Sequence, residues 1–170
     1  MIHRWILLPC SAYLLLKVWY RKGASVADLD FLLYPTSRLV TLVGGGSGEW
    51  RADHGYFHPA GNFIINAGCA GFNFFLFVFL VLYLMLRRPG LQQYWLLPAA
   101  LITAWPITVV ANASRIISLL RLGEMLPAAS RQDLVHQLTG GLIYVTVLTG
   151  LALSLHYLPA KFTVTRAKYS

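Results

Sequence analysis

The sequence predicts an all-α integral membrane protein with about four transmembrane helices and a surface-lying or re-entrant helix between the first two. Three observations carry that expectation. Of 170 residues, 57% are hydrophobic and only 12% charged, with a mean hydropathy of +0.60; a soluble domain of this size carries about 25% charged residues. Four stretches approach the roughly 20 apolar residues that cross a hydrocarbon core. Finally, Cys69, Arg115 and His136, a nucleophile, a cation and a base, stand at the edges of three different apolar stretches. A chain folded through a bilayer gathers the ends of its spans at one surface, so such residues can meet.

The first span is expected at 5–20, where Lys17 can snorkel to the nearer surface. No small-residue cleavage site follows it, so it reads as a retained span rather than a removed signal. Segment 21–63 is long and mixed. Within it, Phe31 to Val43 is apolar but interrupted by Pro35 and Arg38 and too short to span, which suits a surface or re-entrant helix. The glycine run Gly44-Gly45-Gly46-Ser47-Gly48 lacks the Lys-Ser/Thr ending of a phosphate-binding loop and reads as a turn. The second span is expected at 70–86, crowded with Phe72, Phe74, Phe75, Phe77 and Phe79. The third, 94–112, should bend at Pro98 and Pro106. The fourth, 134–158, follows Pro127 to Ser130 and Asp133, which resemble a helix start with an acidic first turn. The whole chain, 1–170, reads as a single polytopic membrane domain.

Four spans place Cys69, Arg115 and His136 on one side of the membrane. The other side holds Arg4, Arg87, Arg88, Lys161, Arg166 and Lys168, all in short flanks and tails. The site-bearing side has eight Lys/Arg but also all six acidic residues. The short Arg87-Arg88-Pro89-Gly90 loop and the basic tail assign the side opposite the site to the cytoplasm. The site and segment 21–63 are then extracytoplasmic. The net charge of +8 reads as topology and not as nucleic-acid binding, because no basic, aromatic-interleaved stripe accompanies it. Cys10 within the first span and Cys69 at a span edge lie at different depths, which argues against a disulfide.

Residues three, four and seven apart share a helix face. Asn66, Cys69 and Asn73 have that spacing, as do Thr108, Asn112 and Arg115, and His136 with Thr139. Gly140 and Gly141 would permit close helix approach. Asn66, Asn73 and Asn112 are therefore expected to bind substrate or orient the site, or to cap helices. A thiol attacks as thiolate, and a helix N-terminus or an adjacent cation lowers its usual pKa of about 8.5. Cys69 would then be the nucleophile and His136 the acid/base. Arg115 would stabilise the thiolate, the developing oxyanion or a substrate carboxylate. No metal or cofactor enters this scheme.

Plainer readings stand beside it. Cys69 alone could be a packing residue, Arg115 an interfacial anchor and His136 a helix-packing histidine, all in a non-catalytic membrane subunit of an envelope or polysaccharide export system. A metal site at Asp53, His54 and His58 is disfavoured, because Gly55 and Pro59 oppose a helix and no Glu follows His54. Ionisable groups at membrane depth are costly and tend to be functional, which favours the joint site.

The motifs Asn66-x-x-Cys69-x-Gly71, Asn112-x-x-Arg115 and the downstream His136 resemble, in type and order, those of the exosortase/archaeosortase family. The resemblance covers roughly Asn62 to Leu151. Lacking the further spans of larger members, the chain is most similar to the short form called exosortase K. The resemblance implies a cysteine protease or transpeptidase of the bacterial cytoplasmic membrane. It would process the C-terminal sorting signal of exported proteins, its partners being those substrates and membrane lipids. Cys69 would be the nucleophile, with Arg115 and His136 completing the site.

Overall fold

The computed structural model describes residues 2–86, 93–125 and 134–167. Five helices carry the fold: α1 (Ile2–Arg21), α2 (Asp30–Gly44), α3 (Phe72–Leu86), α4 (Gln93–Met125) and α5 (Leu134–Ala167). Two described segments, Ala67–Leu86 and Trp95–Leu122, are long and apolar enough to cross a bilayer, and Leu138–Ser154 is a shorter apolar helical stretch.

The all-α expectation needs correction, because segment 21–63 is not free of strands. It contains an antiparallel sheet of order β1-β2-β3, formed by Glu49–Arg51, Gly55–His58 and Phe63–Ile65. Pairing sets Trp50 against Tyr56, and Tyr56 against Ile65. The first hairpin turns through Asp53 at φ 66° and Gly55 at φ 100°, with His54 N–H donating to the Arg51 carbonyl at 3.1 Å. The strands are three or four residues long, too short for a periodic signal to separate from loop.

Helix α2 forms where the apolar, proline-broken segment anticipates one. Ser25 and Asp28 exchange hydrogen bonds ahead of it, Ser25 N–H and Oγ both reaching Asp28 Oδ2 at 2.9 and 2.7 Å. Those bonds hold the exposed Asp28 carboxyl below its ordinary value, the Ser25 hydroxyl contributing most. Pro35 has no N–H, so the Phe31 carbonyl four residues earlier loses its helical donor. Trp105 of α4 replaces that donor, its Nε1–H bonding Phe31 O at 2.8 Å.

Contacts along α2 fix its direction. Its start meets Trp105, and its end, Gly44 and Gly45, lines a cavity with Arg121. The helix therefore runs parallel to α4 and buries Leu32, Leu33, Thr36, Ser37 and Val40. Its first turn lies about 10 Å below Asn112, seven residues of α4 at 1.5 Å each. Helix α3 returns antiparallel between α1 and α4. Much of its aromatic run packs against protein, Phe72 against Trp19 and Tyr20, and Phe75 against Phe31.

Helix bounds also depart from the expected spans. Helix α4 continues past Asn112 to Met125, through both Pro98 and Pro106, so Arg115 lies inside a helix and not after one. Helix α5 runs to Ala167, beyond 158. Regular α3 begins at Phe72, after a 3-10 turn at Ala67–Cys69. The cap signal at Pro127–Ser130 and the Arg87–Gly90 loop lie outside the described residues.

Candidate functional site

Cys69 closes the 3-10 turn Ala67–Cys69, its N–H held by the Asn66 carbonyl at 2.8 Å. The chain then turns into α3 through Gly71 at φ 69°. That backbone suits glycine, and space demands it too. A Cβ on Gly71 would stand 3.2 Å from Asn112 Cγ and 3.4 Å from Tyr144 Oη. The Cys-x-Gly motif is thus a close approach between the turn and two helices.

Asn112 is completely buried on α4. Its Nδ2 donates to the Cys69 carbonyl, and its Oδ1 accepts from the Tyr144 hydroxyl of α5 at 3.1 Å. That hydroxyl accepts in turn from Arg115 Nη1 at 3.0 Å. The chain of bonds Arg115–Tyr144–Asn112–Cys69 joins α4, α5 and the cysteine turn. Phe74 fixes the tyrosine from the α3 side, the rings stacked at 4.0 Å and 11°. Gly140, one turn before Tyr144, lets the Arg115 side chain lie against α5, since a Cβ there would meet Arg115 Cδ at 3.2 Å.

The structure thus brings together Cys69, Asn112 and Arg115. Asn66 and Asn73 are both exposed. The 3-10 turn and the positive φ of Gly71 break the helical spacing that would have put them on one face with Cys69. His136 lies in the first turn of α5, one turn before Gly140; its side chain is outside the described residues. Tyr144 escaped the motif reading. The signal was the spacing His136, Gly140, Tyr144, which extends one α5 face by a further turn.

The histidines of the sheet serve separate places. His54 sits exposed in the β1–β2 turn, its Nδ1 against the Ala52 carbonyl at 3.1 Å. His58 is 3% exposed, hydrogen-bonds Ser37 Oγ through Nε2 at 2.9 Å and stacks on Phe63 at 4.7 Å. Burial lowers its pKa from the usual histidine value. Among the described residues, no three His, Cys, Asp or Glu cluster as a metal site would require. Tyr56 donates to Asp30 Oδ1 at 2.8 Å, and desolvation with that acidic neighbour pushes its pKa up.

Long apolar helices, with a polar cluster joining the start of one to the interior of the next, are the features of a helical membrane protein. The family model described as transmembrane exosortase matches residues 46–153. The chain belongs to that family. No curated protein and no solved structure matches it.

Proposed function

We propose that the chain is a membrane-embedded cysteine protease or transpeptidase that processes the C-terminal sorting signal of exported proteins, in the manner of the short exosortase K form. Four spans, α1 and α3 to α5, hold it in the bacterial cytoplasmic membrane with the site on the extracytoplasmic side. The observation that carries the reading is the hydrogen-bond chain from Arg115 through Tyr144 and Asn112 to the Cys69 carbonyl. It fixes a cation and a cysteine turn against each other with little freedom.

In this reading the Cys69 thiolate attacks the scissile carbonyl carbon, and the resulting oxyanion is stabilised by Arg115. Collapse breaks the C–N bond, and His136 delivers a proton to the leaving amine. A thioester remains on Sγ. Water or an acceptor amine then attacks it, His136 takes the nucleophile's proton, and the thiol is restored. Asn112 and Tyr144 position the reacting groups, while Asn66 and Asn73, both exposed, stand where substrate can reach them.

The alternative, a non-catalytic subunit, makes the same network a means of joining helices. Replacing Cys69 by Ser separates the two, measured as conversion of an exported precursor bearing a C-terminal sorting signal. Accumulation of precursor with the variant at normal abundance supports the enzyme. Undiminished conversion refutes it.

A further inference from the structure

A cavity of about 520 Å³ lies between the sheet, the end of α2 and the distal part of α4, within the range of about 300–1,000 Å³ usual for ligand pockets. Val40, Phe63, Ile117 and Leu120 give it apolar walls, and His58 and Arg121 are the polar side chains that line it. A second groove, of about 490 Å³, runs along the α5 side of α4, where Thr139, Leu142 and Ile143 face Ile117 and Leu122. Ile117 and Arg121 belong to both. Neither is lined by Cys69, Asn112 or Arg115, so this is a separate place in the molecule.

His58 is almost fully buried, and its two ring nitrogens have different surroundings. Nε2 bonds Ser37 Oγ at 2.9 Å. A Cβ on Gly48 would stand 2.5 Å from that oxygen and 3.0 Å from Nε2, so the pair is closed in from the loop side. Ser37 Oγ has no other partner among the described residues. A buried hydroxyl that only accepted would strand its own proton, so Ser37 donates to Nε2. The imidazole proton then sits on Nδ1. Nδ1 has no partner among the described residues and is not sealed within the interior; the ring that carries it lines the cavity. The cavity therefore offers one N–H donor and one cation between apolar walls.

Its depth follows from α4. Ile117, Leu120 and Arg121 fall within the apolar span Trp95–Leu122. Arg121 is exposed and stands in the last turn of that span, where an arginine head meets lipid phosphates while its stem lies on apolar surface. Ile117, shared by both grooves, is one turn deeper. A ligand matching this arrangement carries an anion for Arg121, an acceptor oxygen for His58 Nδ1–H and two aliphatic chains. We propose that the double groove holds one anionic diacyl phospholipid, its phosphate between Arg121 and His58 and one acyl chain in each groove. The inference does not depend on Cys69 being a nucleophile.

The test uses the full chain in detergent micelles and counts bound lipid by native mass spectrometry. Three probes are titrated separately: dioleoyl phosphatidylglycerol, dioleoyl phosphatidylcholine and inorganic phosphate. One phosphatidylglycerol per chain is expected, held about fivefold more tightly than phosphatidylcholine, the worth of one basic residue near an anionic lipid. Arg121→Gln should weaken phosphatidylglycerol about tenfold, the loss of one charge-assisted hydrogen bond, and erase the preference. Leu120→Trp, filling one groove, and Leu142→Trp, filling the other, should each weaken both lipids. Arg121 and Leu142 are exposed, so their variants should keep the helix content of the unmodified protein by circular dichroism. Equal binding of the two lipids, or phosphatidylglycerol binding that Arg121→Gln leaves unchanged, makes the lipid merely annular and overturns the site. Displacement of phosphatidylglycerol by inorganic phosphate also overturns it, giving the cavity to a soluble anion.

Discussion

Tyr144→Phe removes one oxygen and keeps the ring. The Phe74 stack, worth about 0.5–1.5 kcal/mol, survives. Lost are the acceptor for Arg115 Nη1 and the donor to Asn112 Oδ1. Asn112 is completely buried, and an acceptor stranded there costs about 1–3 kcal/mol. A destabilisation of about 2 kcal/mol is expected, read as the loss of unfolding free energy in mixed micelles. If Arg115 then leaves its place, about 2 kcal/mol of transition-state stabilisation corresponds to a roughly 30-fold slower conversion. Precursor processing should fall by about that factor at unchanged abundance. Tyr144→Ala, which also loses the stack, should unfold more readily still. A Tyr144→Phe protein as stable and as fast as the unmodified one would refute the claim that this hydroxyl couples Arg115 to the cysteine turn.

Four other outcomes follow from the packing. Gly71→Ala places a methyl group 3.2 Å from Asn112 Cγ at φ 69°; it should cost about 1–2 kcal/mol in backbone strain alone and slow processing, checked by activity at matched abundance. Trp105→Phe removes the indole donor from the Phe31 carbonyl and should cost about 1 kcal/mol. Pro35→Ala should lessen that cost by restoring a helical N–H, which a double-mutant cycle measures. His58 is held neutral by burial, with its pKa lowered, so below about pH 6.5 the unfolded chain binds a proton that the fold does not. Stability should be full above that pH and decline as pH falls; His58→Gln should flatten the decline in unfolding titrations. Cys69 should react with a membrane-impermeant thiol reagent in intact cells, and protection there would contradict an extracytoplasmic site.

Apolar runs in the sequence disclose α3 and α4 because burial in lipid demands them over 15 residues or more. Cys69, Asn112 and Arg115 each stand in a short sequence motif, and the structure joins them although α4 runs on past the expected span end. What escapes is set by contacts distant in sequence. The strands of β1–β3 are too short for alternation to register. Tyr144 joins the network because α5 returns to α4; the spacing from Gly140 gives its face but not its partners. Asn66 and Asn73 are exposed, because helical spacing does not carry across the 3-10 turn and Gly71. Pro35 is a clear local break, but its repair by Trp105 requires knowing that α2 and α4 are neighbours.

That pairing makes biosynthesis sequential. Helix α2 leaves the ribosome about 80 residues before α4 is complete, an interval of some 4–16 s at about 5–20 residues per second. Throughout it Leu32, Leu33 and Val40 lack the α4 surface, and the Phe31 carbonyl awaits an indole not yet translated. The segment must rest at the bilayer interface as an amphipathic helix and dock only when α4 arrives. The amino-terminal part of this chain is therefore not an autonomous module.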